Sequence, residues 1–319
     1  MIGVVGAGAF GTALAIAVAR EGRAVRLWAR DGGHVASMAQ HRCNLTRLPD
    51  ATFPQTVSVT AQLDDLSGAE AVLLAVPMQS LARFLQDNAS ILAGTALVGC
   101  CKGVDMQTLQ GASTLISAAC PTSTVAILTG PSFAADIAKG LPTALTLACQ
   151  DEAGAVLQTL LSTPSLRIYR TTDVIGSELG GALKNVIAIA AGVVVGAGLG
   201  DSARAALITR GFAEMQRFAL DLGARAETLA GLSGFGDLVL TCTSPQSRNL
   251  RFGMALGSGT GFDPAVTVEG VATARAIVRM AAERTIDMPI TGMVADLIDK
   301  KIPLDQAVRS LMSRPLKQE

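Results

Sequence analysis

The amino-terminal run IGVVGAGAFGTALA constrains the fold of this chain more than any other segment. Gly6, Gly8 and Gly11 form G-x-G-x-x-G directly after an apolar, strand-like run at residues 2–5 and at the start of a helical composition at residues 9–20. Each glycine has a physical task. Gly6 permits the tight turn, Gly8 lets a pyrophosphate approach the backbone, and Gly11 allows close helix–strand packing. The free N–H groups and dipole of the helix start then face the phosphates. Strand-like segments follow at 24–29, 57–60, 71–76, 96–100 and 125–128, with helical segments at 80–92 and 108–119. Strands alternating with helices imply right-handed crossovers and a parallel sheet covered on both faces. Residues 143–148 and 166–169 are expected to add outer strands. From Asp173 the pattern changes to long Ala-, Leu- and Gly-rich helical stretches. The reading is α/β: a Rossmann-like, doubly wound dinucleotide-binding domain over residues 1–172, then an all-α substrate and catalytic domain over residues 173–319.

Composition narrows the function. Lys plus Arg and Asp plus Glu number 26 each among 319 residues, so no net charge favours nucleic acid or an anionic membrane surface. The chain is apolar enough to raise the question of a membrane span. The best candidate, residues 174–200, is interrupted by Glu178, Lys184 and Asn185 and reads as a buried helix. Six cysteines without a C-x-x-C pair, in apolar surroundings, fit reduced thiols. A strained Cys100–Cys101 disulfide is disfavoured. His34 and His41 lack metal-ligand partners at useful spacing and are expected in surface or loop roles, so no metal is expected. No basic segment followed by a cleavable apolar one opens the chain, and a cytoplasmic protein is expected.

Five segments carry the chemistry. The second strand leads through Trp28 and Ala29 to Arg30, where an NAD-selective site usually has Asp or Glu. A guanidinium can pair with a ribose 2′-phosphate, which favours NADP(H), while the adjacent Asp31 leaves NAD(H) open. In CCKGVD, Lys102 follows a strand, where the crevice of a doubly wound sheet lies. In LTGPSFAADIAKG, Gly130 and Ser132 occupy the same kind of position, with Ser132 a candidate helix cap. In ELGGALKNVIAIAAG, Lys184 sits in a very apolar helix. An unpaired buried charge is costly there, so a partner or a substrate is implied. In GLSGFGDLVLTCTSPQSRN, Asp237 lies in a Gly-rich turn, and Ser247, Arg248 and Asn249 form a donor cluster suited to a phosphate or carboxylate.

Taken in this order, the segments resemble bacterial NAD(P)-dependent glycerol-3-phosphate dehydrogenase over almost the whole chain. ELGGALKN and the stretch from GDL to SRN are the most specific matches. The resemblance implies that Gly6, Gly8, Ala9, Phe10, Gly11, Arg30, Ala134 and Glu269 contact the dinucleotide. It places Gly130, Ser132, Ser247 and Asn249 on the substrate side, with Lys102 and Arg248 reaching both ligands. Lys184 matches the catalytic lysine and Asp237 a carboxylate beside it. Ala9 replaces a frequent serine, Asp136 a common glutamate, and Ser202 an asparagine. The implied reaction is reversible reduction of dihydroxyacetone phosphate to sn-glycerol 3-phosphate, supplying glycerophospholipid synthesis, in an enzyme expected to be a homodimer. A 2-keto acid reductase and a non-catalytic dinucleotide sensor are the alternatives.

Overall fold

The computed structural model describes residues 1–312. Ten strands run β1 (Ile2–Val5), β2 (Val25–Trp28), β3 (Cys43–Asn44), β4 (Leu48–Thr52), β5 (Val57–Thr60), β6 (Ala71–Leu74), β7 (Ala96–Gly99), β8 (Val125–Thr129), β9 (Thr143–Ala148) and β10 (Leu166–Thr171). Eight of them form one sheet in the order β10-β9-β8-β7-β6-β1-β2-β5, and β3 and β4 make a separate antiparallel hairpin. The chain winds outward through β2 and β5, then crosses to β6 on the other side of β1. That reversal opens a crevice at the carboxyl ends of β1 and β6. Both strands are buried throughout, as their unbroken apolar composition requires.

The sheet is mixed, which corrects the expectation of an all-parallel one. β9 pairs antiparallel with β8, and β10 lies parallel to β9. The cause is the link between β8 and β9. Its helix, Ala134–Lys139, has 6 residues and climbs ~9 Å, against ~17 Å for the five-residue β8. The chain therefore returns from the edge it left, rather than crossing over.

After β10 only helices follow among the described residues. Val174–Gly196 is the axis of this half, buried along nearly all its length. It is long and apolar enough to cross a membrane, but the other helices cover it. Its closest neighbour is Arg248–Ser258. A Cβ at Gly192 would run into the Leu250 carbonyl oxygen, and one at Gly253 into that of Ile189. The two backbones therefore touch, and one turn along, Asn249 meets Asn185.

Several bonds join the two halves. Glu178 accepts from the Ser113 amide at 2.7 Å and from its hydroxyl at 2.5 Å, capping the helix Ala112–Ala119. Gly111 leaves room for it, since a Cβ there would stand 2.7 Å from Glu178 Oε2. Arg279 donates to the Met106 carbonyl at 2.7 Å.

Gly253→Val should lower the free energy of unfolding by about 1–3 kcal/mol, the usual cost of overpacking, or by more. Urea titration measures it, and an unchanged midpoint would contradict the backbone contact.

Candidate functional site

Four parallel strands deliver their carboxyl ends to the same rim of the sheet. Gly6 follows β1 with φ +106°, and a Cβ there would lie 2.7 Å from the Ala75 carbonyl oxygen. Only glycine fits that turn. Gly11 packs against the Gly6 carbonyl. Gly8 differs, because nothing lies within 4 Å of where its Cβ would be. It also opens the helix Ala9–Ala19, which has no side-chain cap and no acidic residue in its first turn. Unsatisfied N–H groups thus face open space, a cradle suited to a dinucleotide pyrophosphate. Ala9 and Phe10 form its first turn, half-buried.

Arg30 is exposed beyond β2, with no hydrogen bond or ion pair to another described residue. Asp31 is committed, its Oδ1 accepting from the His34 amide at 2.6 Å to cap the helix Gly32–His41. His34 lies in the first turn of that helix and bonds Asn44, while His41 stays exposed.

Below the rim the two halves share one buried ionic group. Lys102, just past β7, donates to Asp237 Oδ2 at 2.5 Å and to the Gly130 carbonyl at 3.1 Å. Lys184, in the middle of Val174–Gly196, stands 3.1 Å from Asp237 Oδ1 and donates to Thr241 Oγ1 at 2.7 Å. Thr241 in turn donates to Asp237 Oδ1 at 3.2 Å. Asp237 is 1% exposed and Lys184 6%, so neither charge has bulk water to rely on. Asp237 begins the helix Asp237–Thr243 after a π-helical turn, Leu232–Gly236. Thr241 is four residues further on the same face, which is how it reaches both groups.

Burial pushes the Lys184 amine down to about 8; the cation of Lys102 adds to the fall, while Asp237 opposes it. Burial alone would raise Asp237, but Lys102 and Lys184 beside it hold it below the ordinary carboxylate value. Glu269, at the start of Glu269–Arg284, is raised by burial, with Arg248, Lys102 and Lys184 near enough to pull it back in part. Cys242 is also close, but burial drives its thiol up to about 12 and leaves it no nucleophile at neutral pH.

The remaining residues divide by how their hydrogen bonds are used. Ser247 caps the helix Arg248–Ser258 by accepting from the Leu250 amide at 3.1 Å, so its O–H stays available to an anion. Arg248, exposed at that helix start, makes no hydrogen bond or ion pair with a described residue, and its charge acts on Glu269. Asn249 is mostly committed. It donates to Asn185 Oδ1 at 2.8 Å and accepts from the Gly270 amide at 3.0 Å, leaving one N–H. Ser132 does not cap the following helix, as its sequence position suggested. Its hydroxyl donates to the Gly130 carbonyl at 3.2 Å, and the helix begins two residues later at Ala134, with Phe133 in the cap position. Lys102, Gly130, Lys184 and Asp237 thus come together, with Glu269 and Arg248 beside them. Arg30 stands apart, beyond β2. Thr241 and Asn185 were not assigned from the sequence; a hydroxyl four residues after a buried Asp was the available signal for Thr241. All six cysteines are free, Cys100 and Cys101 included. Among the described residues no group of His, Cys, Asp and Glu could hold a metal ion.

Comparison with known proteins identifies the family. Residues 1–155 match the family model for the NAD-dependent glycerol-3-phosphate dehydrogenase N-terminus, and residues 173–309 match that for its C-terminus. The chain is 63% identical to glycerol-3-phosphate dehydrogenase (NAD(P)+) of Cereibacter sphaeroides over 100% of both chains. It is 57% identical to the Paracoccus denitrificans enzyme of the same name, over 100% of this chain and 99% of the other. The crystal structure of glycerol-3-phosphate dehydrogenase from Coxiella burnetii superposes with a TM-score of 0.93 at 36% identity, covering 98% of each chain. A ketopantoate reductase of the PanE/ApbA family from Ralstonia eutropha, at 18% identity and a TM-score of 0.65, shares the fold.

Proposed function

Because the chain belongs to the NAD-dependent glycerol-3-phosphate dehydrogenase family, and so interconverts dihydroxyacetone phosphate and sn-glycerol 3-phosphate with a nicotinamide dinucleotide, we propose that Lys184 is its proton donor and acceptor. The observation that carries this reading is a buried ammonium, brought down to about 8, on a carboxylate that a second lysine shares.

The chemistry that a bound nicotinamide supplies is hydride transfer to the ketone carbon. As negative charge grows on the ketone oxygen, the Lys184 ammonium hydrogen-bonds it, stabilises it and delivers the proton; in oxidation the neutral amine takes the alcohol proton. Asp237 and Thr241 aim the amine. Lys102, Gly130, Ser132, Ser247, Arg248 and Asn249 make up the substrate side, with the phosphate on the free donors of Ser247 and Arg248. Binding energy from that remote phosphate positions the carbonyl. Gly6, Gly8, Ala9, Phe10 and Gly11 would hold the pyrophosphate, Ala134 and Glu269 would complete the coenzyme site, and Lys102 and Arg248 would contact both ligands.

The finer assignments belong to the same reading. NADP(H) is the favoured coenzyme, supported by the unpaired Arg30 and the committed Asp31. The chain divides near residue 172, supported by the last strand ending at Thr171 and Val174 opening the helical half. The protein is cytoplasmic and homodimeric, with its product entering glycerophospholipid synthesis. Exposed Phe235, packed edge-on against Phe212, and exposed Val239 support association through the helical half.

Two outcomes test the proposal. Reduction needs the ammonium and oxidation the amine. With a Lys184 pKa of about 8, kcat for reduction should be flat at lower pH and fall above that value, and kcat for oxidation should rise through it. Lys184→Ala should lower kcat by ~10²–10⁴, the usual worth of a positioned acid–base group. A near-normal kcat in this variant removes the assignment. Arg30→Ala should raise KM for NADPH while leaving KM for NADH nearly unchanged, and equal effects on both would remove the NADP(H) preference.

A further inference from the structure

The hairpin of β3 and β4 carries a residue outside the dinucleotide site that is bonded to it on several sides. Asn44 is 0% exposed. Its Nδ2 donates to the Ala7 carbonyl at 3.0 Å, between Gly6 and Gly8, and to Thr12 Oγ1 at 2.8 Å, in the helix that opens the phosphate cradle. Its Oδ1 accepts from the Arg47 amide at 3.2 Å and lies 3.0 Å from His34 Nε2. The amide orientation follows from these partners, because the group facing the Ala7 carbonyl must be the donor. His34 Nε2 then carries a proton towards Asn44. His34 sits in the first turn of Gly32–His41, the helix entered through Arg30 and Asp31.

We propose that Asn44 is a positioning residue for the coenzyme: it joins the glycine turn, the helix behind it and the turn carrying Arg30, so that pyrophosphate and ribose sites keep a fixed separation. This rests on the coenzyme reading given above. The glycine turn has no polar side chain of its own to hold its shape, only the buried methyl of Ala7. The bond from Asn44 to the Ala7 carbonyl, with its companion to Thr12 in the following helix, supplies that support from a segment that touches neither substrate nor catalytic lysine. A buried amide with every partner in place is rigid, and removing it takes that partner from the Ala7 carbonyl and the Thr12 hydroxyl.

The test is steady-state kinetics of the purified full-length protein with both coenzymes. Asn44→Ala should raise KM for NADPH and for NADH alike, by about tenfold, equivalent to ~1.4 kcal/mol of coenzyme binding. kcat at saturating coenzyme and KM for dihydroxyacetone phosphate should stay within about twofold. His34→Ala cuts only the tie to the Arg30 turn. It should reduce the preference for NADPH over NADH and leave KM for NADH in place. Unchanged coenzyme KM values in Asn44→Ala, or a fall in kcat as large as the rise in KM, overturn the proposal. If Asn44→Ala does not fold, His34→Ala decides, and an unchanged coenzyme preference overturns it. Arg30→Ala separates the two claims. If that variant uses NADPH normally, the 2′-phosphate reading fails, while KM for NADH in Asn44→Ala still tests the positioning role.

Discussion

One buried carboxylate shared by two lysines, one from each half of the chain, organises this molecule. Removing an ion from water costs several kcal/mol, even after relaxation. Asp237 repays that cost only with Lys102 and Lys184 both in place, and each lysine needs Asp237 for the same reason. The arrangement requires the sheet to end where the helical half presents its axis. The Gly192–Gly253 contact and the Glu178 cap serve that end, one setting the helix pair and the other tying the helix to the sheet. Two ammoniums around one carboxylate leave a surplus of positive charge, with Arg248 at its edge. An anionic substrate drawn into the cleft meets that surplus.

The same arrangement sets the chemistry of Lys184. An exposed lysine stays protonated well beyond neutrality and makes a poor base. Burial and the neighbouring cation of Lys102 lower it, and Asp237 limits the fall, so the amine can exchange a proton near pH 8. Thr241 accepts one ammonium hydrogen and Asp237 another, which leaves one direction for the substrate oxygen of the proposed mechanism. Position and proton affinity thus have a common origin.

Much of this was legible in the chain, for reasons that differ by segment. The glycine motif and the four-residue apolar runs of β1 and β6 reveal the nucleotide half because burial on both faces tolerates nothing polar. Lys184 stood out because its helix is apolar apart from Ser177, Glu178 and Asn185. The helix Gly32–His41 was missed because it buries only Met38 and opens on two glycines; a cap at Asp31 and the bond from His34 to Asn44 hold it. The hairpin of β3 and β4 was missed with it, being short and half polar. The direction of β9 depends on the length of a connecting helix, which composition does not reveal. Ser132 looked like a cap because serine favours that place, but the helix starts further on and its hydroxyl turns to Gly130. The Lys102–Asp237–Lys184 contact joins distant segments, and no local pattern encodes it.

The most direct test is the pH dependence of kcat for reduction in Asp237→Asn, set beside that of the unmodified protein. With the carboxylate gone, burial and the Lys102 cation act on Lys184 with only Glu269 left to oppose them. The titration seen in kcat should then move below about 8, with activity lost earlier as pH rises. A profile that stays in place or moves upward would mean that Lys184 is not governed by the shared carboxylate.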